Sequence, residues 1–261
     1  MRFALAMLFL AAAPLPAAAQ DPTSDWVFGA DGEDIVIELG GGVRTRPEYE
    51  GANDYTLRPW PVIELEFLRL PFGTFGGGPE TGIAFSPSFR IISERDDDDH
   101  SELAGLSDVD LAVEAGGTVS YRYDMLRGLV TLRRGFGGHE GFIGEAGLDL
   151  IVSPTSDLEV ILGPRLHFAD SEYLDTYLGV SAADAVASGL PEFDPDGGIK
   201  GVGIKGEGKY ALTQNWSLVT EAGYERLIGD AGDSPIADLG SRDQFTAGIG
   251  LTYRFGLDLF D

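Results

Sequence analysis

The chain has 261 residues, no cysteine and three histidines, and its 43 Asp and Glu against 18 Lys and Arg give a formal charge of −25. That charge repels phosphate backbones and excludes nucleic-acid binding, while the missing cysteines remove disulfides, thiolate metal sites and thiol nucleophiles. At 43% hydrophobic and 10% aromatic the chain is not disordered, and its 37 glycines, with no collagen-like period, favour an all-β chain over a helical one.

At the amino terminus, Arg2 precedes the apolar run Phe3 to Ala13, which Pro14 and Pro16 break before Ala17-Ala18-Ala19. This order reads as a cleaved signal peptide over residues 1–19. The run falls short of the roughly 20 residues a membrane helix needs, and no later stretch reaches that length.

Period-two alternation follows, again and again. Between Thr81 and Ile92, Ile83, Phe85, Phe89 and Ile91 share one face while Ala84, Ser86, Ser88 and Arg90 share the other. The same pattern runs from Asp108 to Arg122, from Leu158 to Phe168 and from Gln244 to Phe255. Weaker copies occupy about 34–44, 57–70, 126–136, 141–152, 198–212 and 216–227, which makes ten strands. Soluble strands have a mode near five or six residues, whereas a strand that crosses a bilayer needs about 9–11. The expected fold is therefore all-β: one antiparallel transmembrane β-barrel of ten strands, or twelve if residues 169–197 pair further, and a monomer.

The connections alternate in length. Turns are expected at 71–80, 123–125, 153–157 and 213–215, and loops at 45–56, 93–107, 137–140, 169–197 and 228–243. Short periplasmic turns and longer outer loops are the habit of outer-membrane barrels. On that reading residues 20–33 are a periplasmic segment, 34–261 the barrel, and outer-membrane lipid its surroundings. The phasing points Arg90, Glu114, Arg122, Glu145, Asp149, Arg165, His167, Glu207, Glu221, Glu225 and Arg254 into the lumen. Ten strands enclose little space, because open aqueous pores need about 16. The mixed charges either pair across the lumen or line a thin path for small polar solutes.

Motifs for chemistry are weak. Gly201-Val202-Gly203-Ile204-Lys205-Gly206 fits a dinucleotide fingerprint but lies inside an alternating strand with no helix after it. Asp96 to Asp99 offers oxygen ligands to a divalent cation without the spacing of a calcium loop, and reads as a solvated acidic loop. Asp98-Asp99-His100 with Asp108-Val109-Asp110 holds the residue types that activate water, but both lie in one loop-strand unit. His100-Ser101, and His167 with Ser171, have no orienting partner at a readable spacing, and no G-x-S-x-G elbow occurs. His139 sits in Gly-Gly-His-Glu-Gly, a tight rim turn. No catalytic residue, cofactor or metal site is expected, and an outer-membrane hydrolase is the remote alternative.

Three segments resemble one family. Gly41-Gly42-Val43-Arg44-Thr45-Arg46-Pro47-Glu48-Tyr49-Glu50-Gly51 with Arg58-Pro59-Trp60-Pro61 is the first. Arg133-Arg134-Gly135-Phe136-Gly137-Gly138-His139-Glu140-Gly141 is the second, and Gly163 to Asp170, continuing through Tyr173 and Tyr177 to Gly198, is the third. In order and spacing they resemble the MltA-interacting protein (MipA/OmpV) family of outer-membrane barrels. The resemblance implies a scaffold that links a murein transglycosylase to a murein synthase; the alternative function, read from the narrow lumen and its mixed charges, is a channel for small polar solutes. Trp26 and Phe28 are the candidate anchors for such a partner. The chain departs from the family beyond Tyr253-Arg254-Phe255, running on to Asp261, so the carboxy-terminal aromatic read during assembly is Phe255 or Phe260.

Overall fold

The computed structural model describes residues 34–70, 73–76, 81–96 and 101–257. The expected signal peptide, the segment 20–33 with Trp26 and Phe28, Asp97 to His100 and Phe260 lie outside the described residues. In chain order the strands are β1 (Ile35–Pro47), β2 (Tyr55–Leu70), β3 (Gly73–Gly76), β4 (Thr81–Ile92), β5 (Ala112–Tyr123) and β6 (Leu126–Gly137). β7 (Phe142–Thr155), β8 (Leu158–Ala169), β9 (Gly198–Ala211), β10 (Trp216–Leu227) and β11 (Asp243–Leu257) follow. Every neighbouring pair is antiparallel, and the sheet order is β3-β2-β1-β11-β10-β9-β8-β7-β6-β5-β4. The first and last long strands pair along their length, with Gly40 opposite Thr252 and Gly42 opposite Gly250. Apart from β3 the strands are 12 to 16 residues long, long enough to cross a bilayer at a tilt.

The period-two pattern sorts the side chains opposite to a soluble protein. Ile63 is 77% and Phe89 72% exposed, in a belt that also holds Leu148, Leu162, Ile204, Ile249 and Leu251, whereas Glu114 is 0% and Asp149 1% exposed. A continuous apolar outer face and a polar inner one suit hydrocarbon outside and a lumen inside.

Three expectations need correction. The turn at 71–80 contains β3, which folds back on β2 with Phe67 opposite Gly76. The strand expected from Asp108 starts at Ala112, because Val109 is buried and its backbone pairs with Arg95 outside the wall. Residues 169–197 form neither a plain loop nor extra strands: they hold α1 (Ser171–Leu178) and α2 (Ala182–Ser188), with one bridge between Val180 and Phe193. The loop at 228–243 likewise holds α3 (Gly229–Asp233) and α4 (Pro235–Leu239). Side-chain caps start three of these helices. Asp170 accepts from the Tyr173 amide, Ser181 from Asp184, and Ser234 from Ile236 beside Pro235.

These segments pack together over one end of the barrel. Tyr173, Leu174 and Leu178 of α1, Leu103 and Val109, Leu227, Ile236 and Ala237 form a single buried apolar cluster. The dry core of the molecule is thus its cap, not its wall.

The wall has a seam. No ladder joins β2 to β4 among the described residues. Gly42 pairs with Trp60, whose carbonyl faces β1, so the flanking Pro59 and Pro61 point away from β1. By the same alternation Thr118 pairs with Ser86, whose carbonyl faces β5, and Pro87 points away from β5. All three imide nitrogens face the seam, where they have no proton to donate. A hollow of about 650 Å³ opens there between Leu65, Phe85, Pro87 and Leu132. Toward the cap Arg58 donates to Ser93 across the gap, and at the other end β3 lies beside β4.

Candidate functional site

The inward positions of β1, β2 and β4 to β9 collect Arg44, Arg46, Arg58, Arg90, Arg127, Arg133, Arg165 and all three lysines, ten of the 18 basic residues. By contrast the described cap segments 48–54, 93–96, 101–111, 138–141, 170–197 and 228–242 carry 19 of the 43 acidic residues. A basic lumen therefore lies beneath an acidic cap.

Charged clusters line the lumen. Glu114 is gripped by Arg90 through two bonds of 2.7 and 2.6 Å and by Arg133 Nε at 3.0 Å, while His139 Nε2 lies 3.3 Å away. Asp149 takes Arg127 at 2.7 Å and Arg165 at 2.6 Å. Lys205 joins Glu207 at 2.7 Å to Glu221 at 3.3 Å, and Arg44 reaches Glu221 at 3.4 Å. Lys209 holds Glu38, which also accepts from Thr252. A completely buried charge is tolerated only when paired and hydrogen-bonded, and Glu114 and Asp149 each have two guanidiniums.

At the mouth the cap reaches into this network. The Tyr173 phenol donates to Glu50, which receives the Lys200 ammonium; Lys200 also donates to Glu225 at 2.9 Å. His167 sits between Glu145 at 3.9 Å and Glu225 at 4.0 Å. Burial first, then the neighbouring Glu50, pushes the Tyr173 phenol well above its ordinary range, so it stays a donor. The His139 ring meets Tyr173 and Tyr177 edge-on at 5.0 and 5.4 Å. Among the described residues neither ring nitrogen makes a well-formed hydrogen bond, and the Tyr177 hydroxyl is also buried without a partner. The glycines of that segment are steric. A Cβ at Gly135 would lie 2.2 Å from the His139 ring, one at Gly138 1.9 Å from the Asp110 carbonyl, and one at Gly141 2.5 Å from Asp170. Gly137 adds a φ of +99°, a conformation that favours glycine.

Of the residues assigned to the lumen by phase, Arg90 and Glu114 meet, as do Asp149 and Arg165, and Glu145, His167 and Glu225 gather at one place. Glu207 and Glu221 are register partners on β9 and β10, and Lys205 bridges their carboxylates. Arg122 and Arg254 lie apart from these clusters at the turn end, where Arg122 Nε donates to the Asp124 carbonyl and the Arg254 backbone pairs with Asn215. The bases Arg127, Arg133, Lys200, Lys205 and Lys209 and the acids Glu38 and Glu50 were not singled out. The alternation of β1, β6 and β9 places all but Glu50 and Lys200, which depend on the cap and on a bulge in β8–β9 between His167 and Phe168.

A curled antiparallel sheet with an apolar belt outside, paired charges inside and a folded cap at one end defines an outer-membrane-type β-barrel. The chain belongs to the MltA-interacting protein MipA family, whose sequence profile matches residues 39–255. Among solved structures it is similar to the N-terminal β-barrel domain of Pseudomonas aeruginosa OprF, at 9% identity over 86% of this chain and 100% of that one, with a TM-score of 0.31. It is also similar to Neisserial surface protein A, at 12% identity over 88% and 100%, with a TM-score of 0.28. An outer-membrane channel from Pseudomonas putida F1 matches at 11% identity over 88% and 100%, with a TM-score of 0.44. No curated protein sequence matches the chain.

Proposed function

We propose that this chain is a non-catalytic outer-membrane scaffold for murein-processing enzymes, with its cap outward and its short turns in the periplasm. The observation that carries this reading is the mouth: Tyr173, Glu50, Lys200 and Glu225 tie α1 into the top of the lumen. On this reading the charges paired across the bore make it a wall rather than a passage. The family description, an MltA-interacting protein, supplies the partner class, a murein transglycosylase; the family resemblance of the sequence adds a murein synthase as the second proposed partner. Docking falls to the short turns and to residues 20–33, with Trp26 and Phe28 as aromatic anchors. So little periplasmic surface makes a small interface, at or below about 1,200 Å², and a weak complex.

The test is capture of a purified murein transglycosylase by the immobilised barrel. Deleting residues 21–33 should abolish retention while the barrel remains heat-modifiable on a gel. A wild-type barrel that retains no murein enzyme would end the scaffold reading. A narrow channel is the second reading, favoured by Lys205 and Glu207, whose side chains keep 30% and 35% of their surface open. Steady single-channel conductance in planar bilayers would support it.

A further inference from the structure

The first two strands bring three arginines to the lumen face just inside the mouth. Arg44 is the register partner of Arg58, and Arg46 follows two residues on, opposite Thr56. Directly opposed side chains have Cβ atoms about 4.5–5.5 Å apart and diagonal ones about 7–8 Å, and like charges so placed oppose pairing. The protein does little to neutralise them. Arg44 reaches one oxygen of Glu221, a carboxylate it shares with Lys205. Arg58 donates to the neutral hydroxyl of Ser93, and its buried Nε has no partner. Arg46 has no ion pair or hydrogen bond among the described residues. The next guanidinium, Arg90, is engaged through Nε and Nη2 by Glu114, and its Nη2 also reaches the Tyr173 hydroxyl. In a chain with 43 acidic residues, three neighbouring guanidiniums thus share a fraction of one carboxylate.

The surroundings hold these side chains in place. Trp60 pairs with Gly42, and its ring lies 5.8 Å from Arg44 Cζ, a cation–π brace. Gly248 of β11 clears the floor beneath: a Cβ there would sit 3.0 Å from the Trp60 ring and 3.5 Å from Arg44 Cγ. Two pieces of the segment that first suggested a family, Arg44-Thr45-Arg46 and Arg58-Pro59-Trp60, therefore meet across one ladder.

We propose that Arg44, Arg46 and Arg58 form an oxyanion site for a phosphate group, either free phosphate or phosphate carried on a small solute. Planar guanidinium forks bind phosphate oxygens in pairs, and three forks match a tetrahedral anion with several open oxygens. Binding there offsets the mutual repulsion on β1 and β2. The site lies in the lumen and is independent of periplasmic docking.

Titration calorimetry on the purified full barrel in non-ionic detergent tests this, with inorganic phosphate and glycerol 3-phosphate as probes and chloride and acetate as comparators. Saturable binding of either phosphate probe at one per barrel, above both comparators, is expected; tighter glycerol 3-phosphate assigns the site to a phosphorylated solute, and tighter inorganic phosphate to the free anion. Arg46→Gln should weaken binding at least tenfold, Arg46→Lys should recover part of it, and Arg122→Gln at the far rim should leave it unchanged. The proposal is overturned if neither probe binds above chloride, a result that needs only the wild-type barrel. It is equally overturned if a heat-modifiable Arg46→Gln barrel binds phosphate as the wild type does.

Discussion

Glu114 shows how much one residue can hold. Its carboxylate is fully enclosed and joins Arg90 on β4 to Arg133 on β6, while touching His139 below the cap. Glu114→Gln keeps the shape but leaves two guanidiniums facing a neutral amide. Breaking a buried pair in this way costs roughly 3–5 kcal/mol, and the lower end applies because the Arg90 side chain remains 32% exposed. The variant should lose heat-modifiability at a lower temperature than the wild type; an unchanged transition would mean that the network carries little of the stability. Phase alone placed Glu114 and Arg90 on the inner face. That Arg133 and His139 share the same carboxylate was not legible, because His139 belongs to a turn whose path depends on three glycines.

At the scale of elements, the long strands were readable and the helices were not. Alternation marks a wall strand because lipid and lumen impose opposite chemistry on successive residues, and it located all ten long strands to within a few residues. It is silent on α1 and α2, which are short and packed on the cap core. Their start signals were present nonetheless: Asp170 three residues before Tyr173, and Ser181-Ala182-Ala183-Asp184, a capping pattern. The α2 cap is also a clasp. Asp184 accepts from the Ser107 hydroxyl at 2.7 Å and the Ser181 hydroxyl at 2.8 Å. Burial alone would raise its pKa, but these bonds outweigh burial and hold the carboxyl below the ordinary Asp value. A depressed folded pKa contributes stability above the unfolded value of about 3.9 that is lost as pH falls through the folded one. Asp175 opposes this, because burial and then Asp194 and Asp184 raise its pKa, so that acid relieves it. Protection factors of the amides at residues 181–188 should therefore fall below about pH 4, and Asp184→Asn should flatten that dependence. A slope that survives the substitution would show the clasp to be irrelevant.

At the scale of the whole molecule, the wall is stabilised by hydrocarbon outside and ion pairs inside, and the cap by an ordinary apolar core. Substitutions should divide accordingly. Phe89→Arg puts a charge on the lipid face and should cost about 2–4 kcal/mol if near the midplane, read as a loss of membrane-assembled barrel. Arg at the inward Thr118 should be accommodated better, and the reverse ranking would invert the assignment of faces. The seam adds a property of another kind. With Pro59, Pro61 and Pro87 offering no proton along it, the two edge strands can drift apart or together there without breaking a single bond of the ladder. A change in the girth of the cylinder therefore costs the fewest backbone hydrogen bonds along this one line.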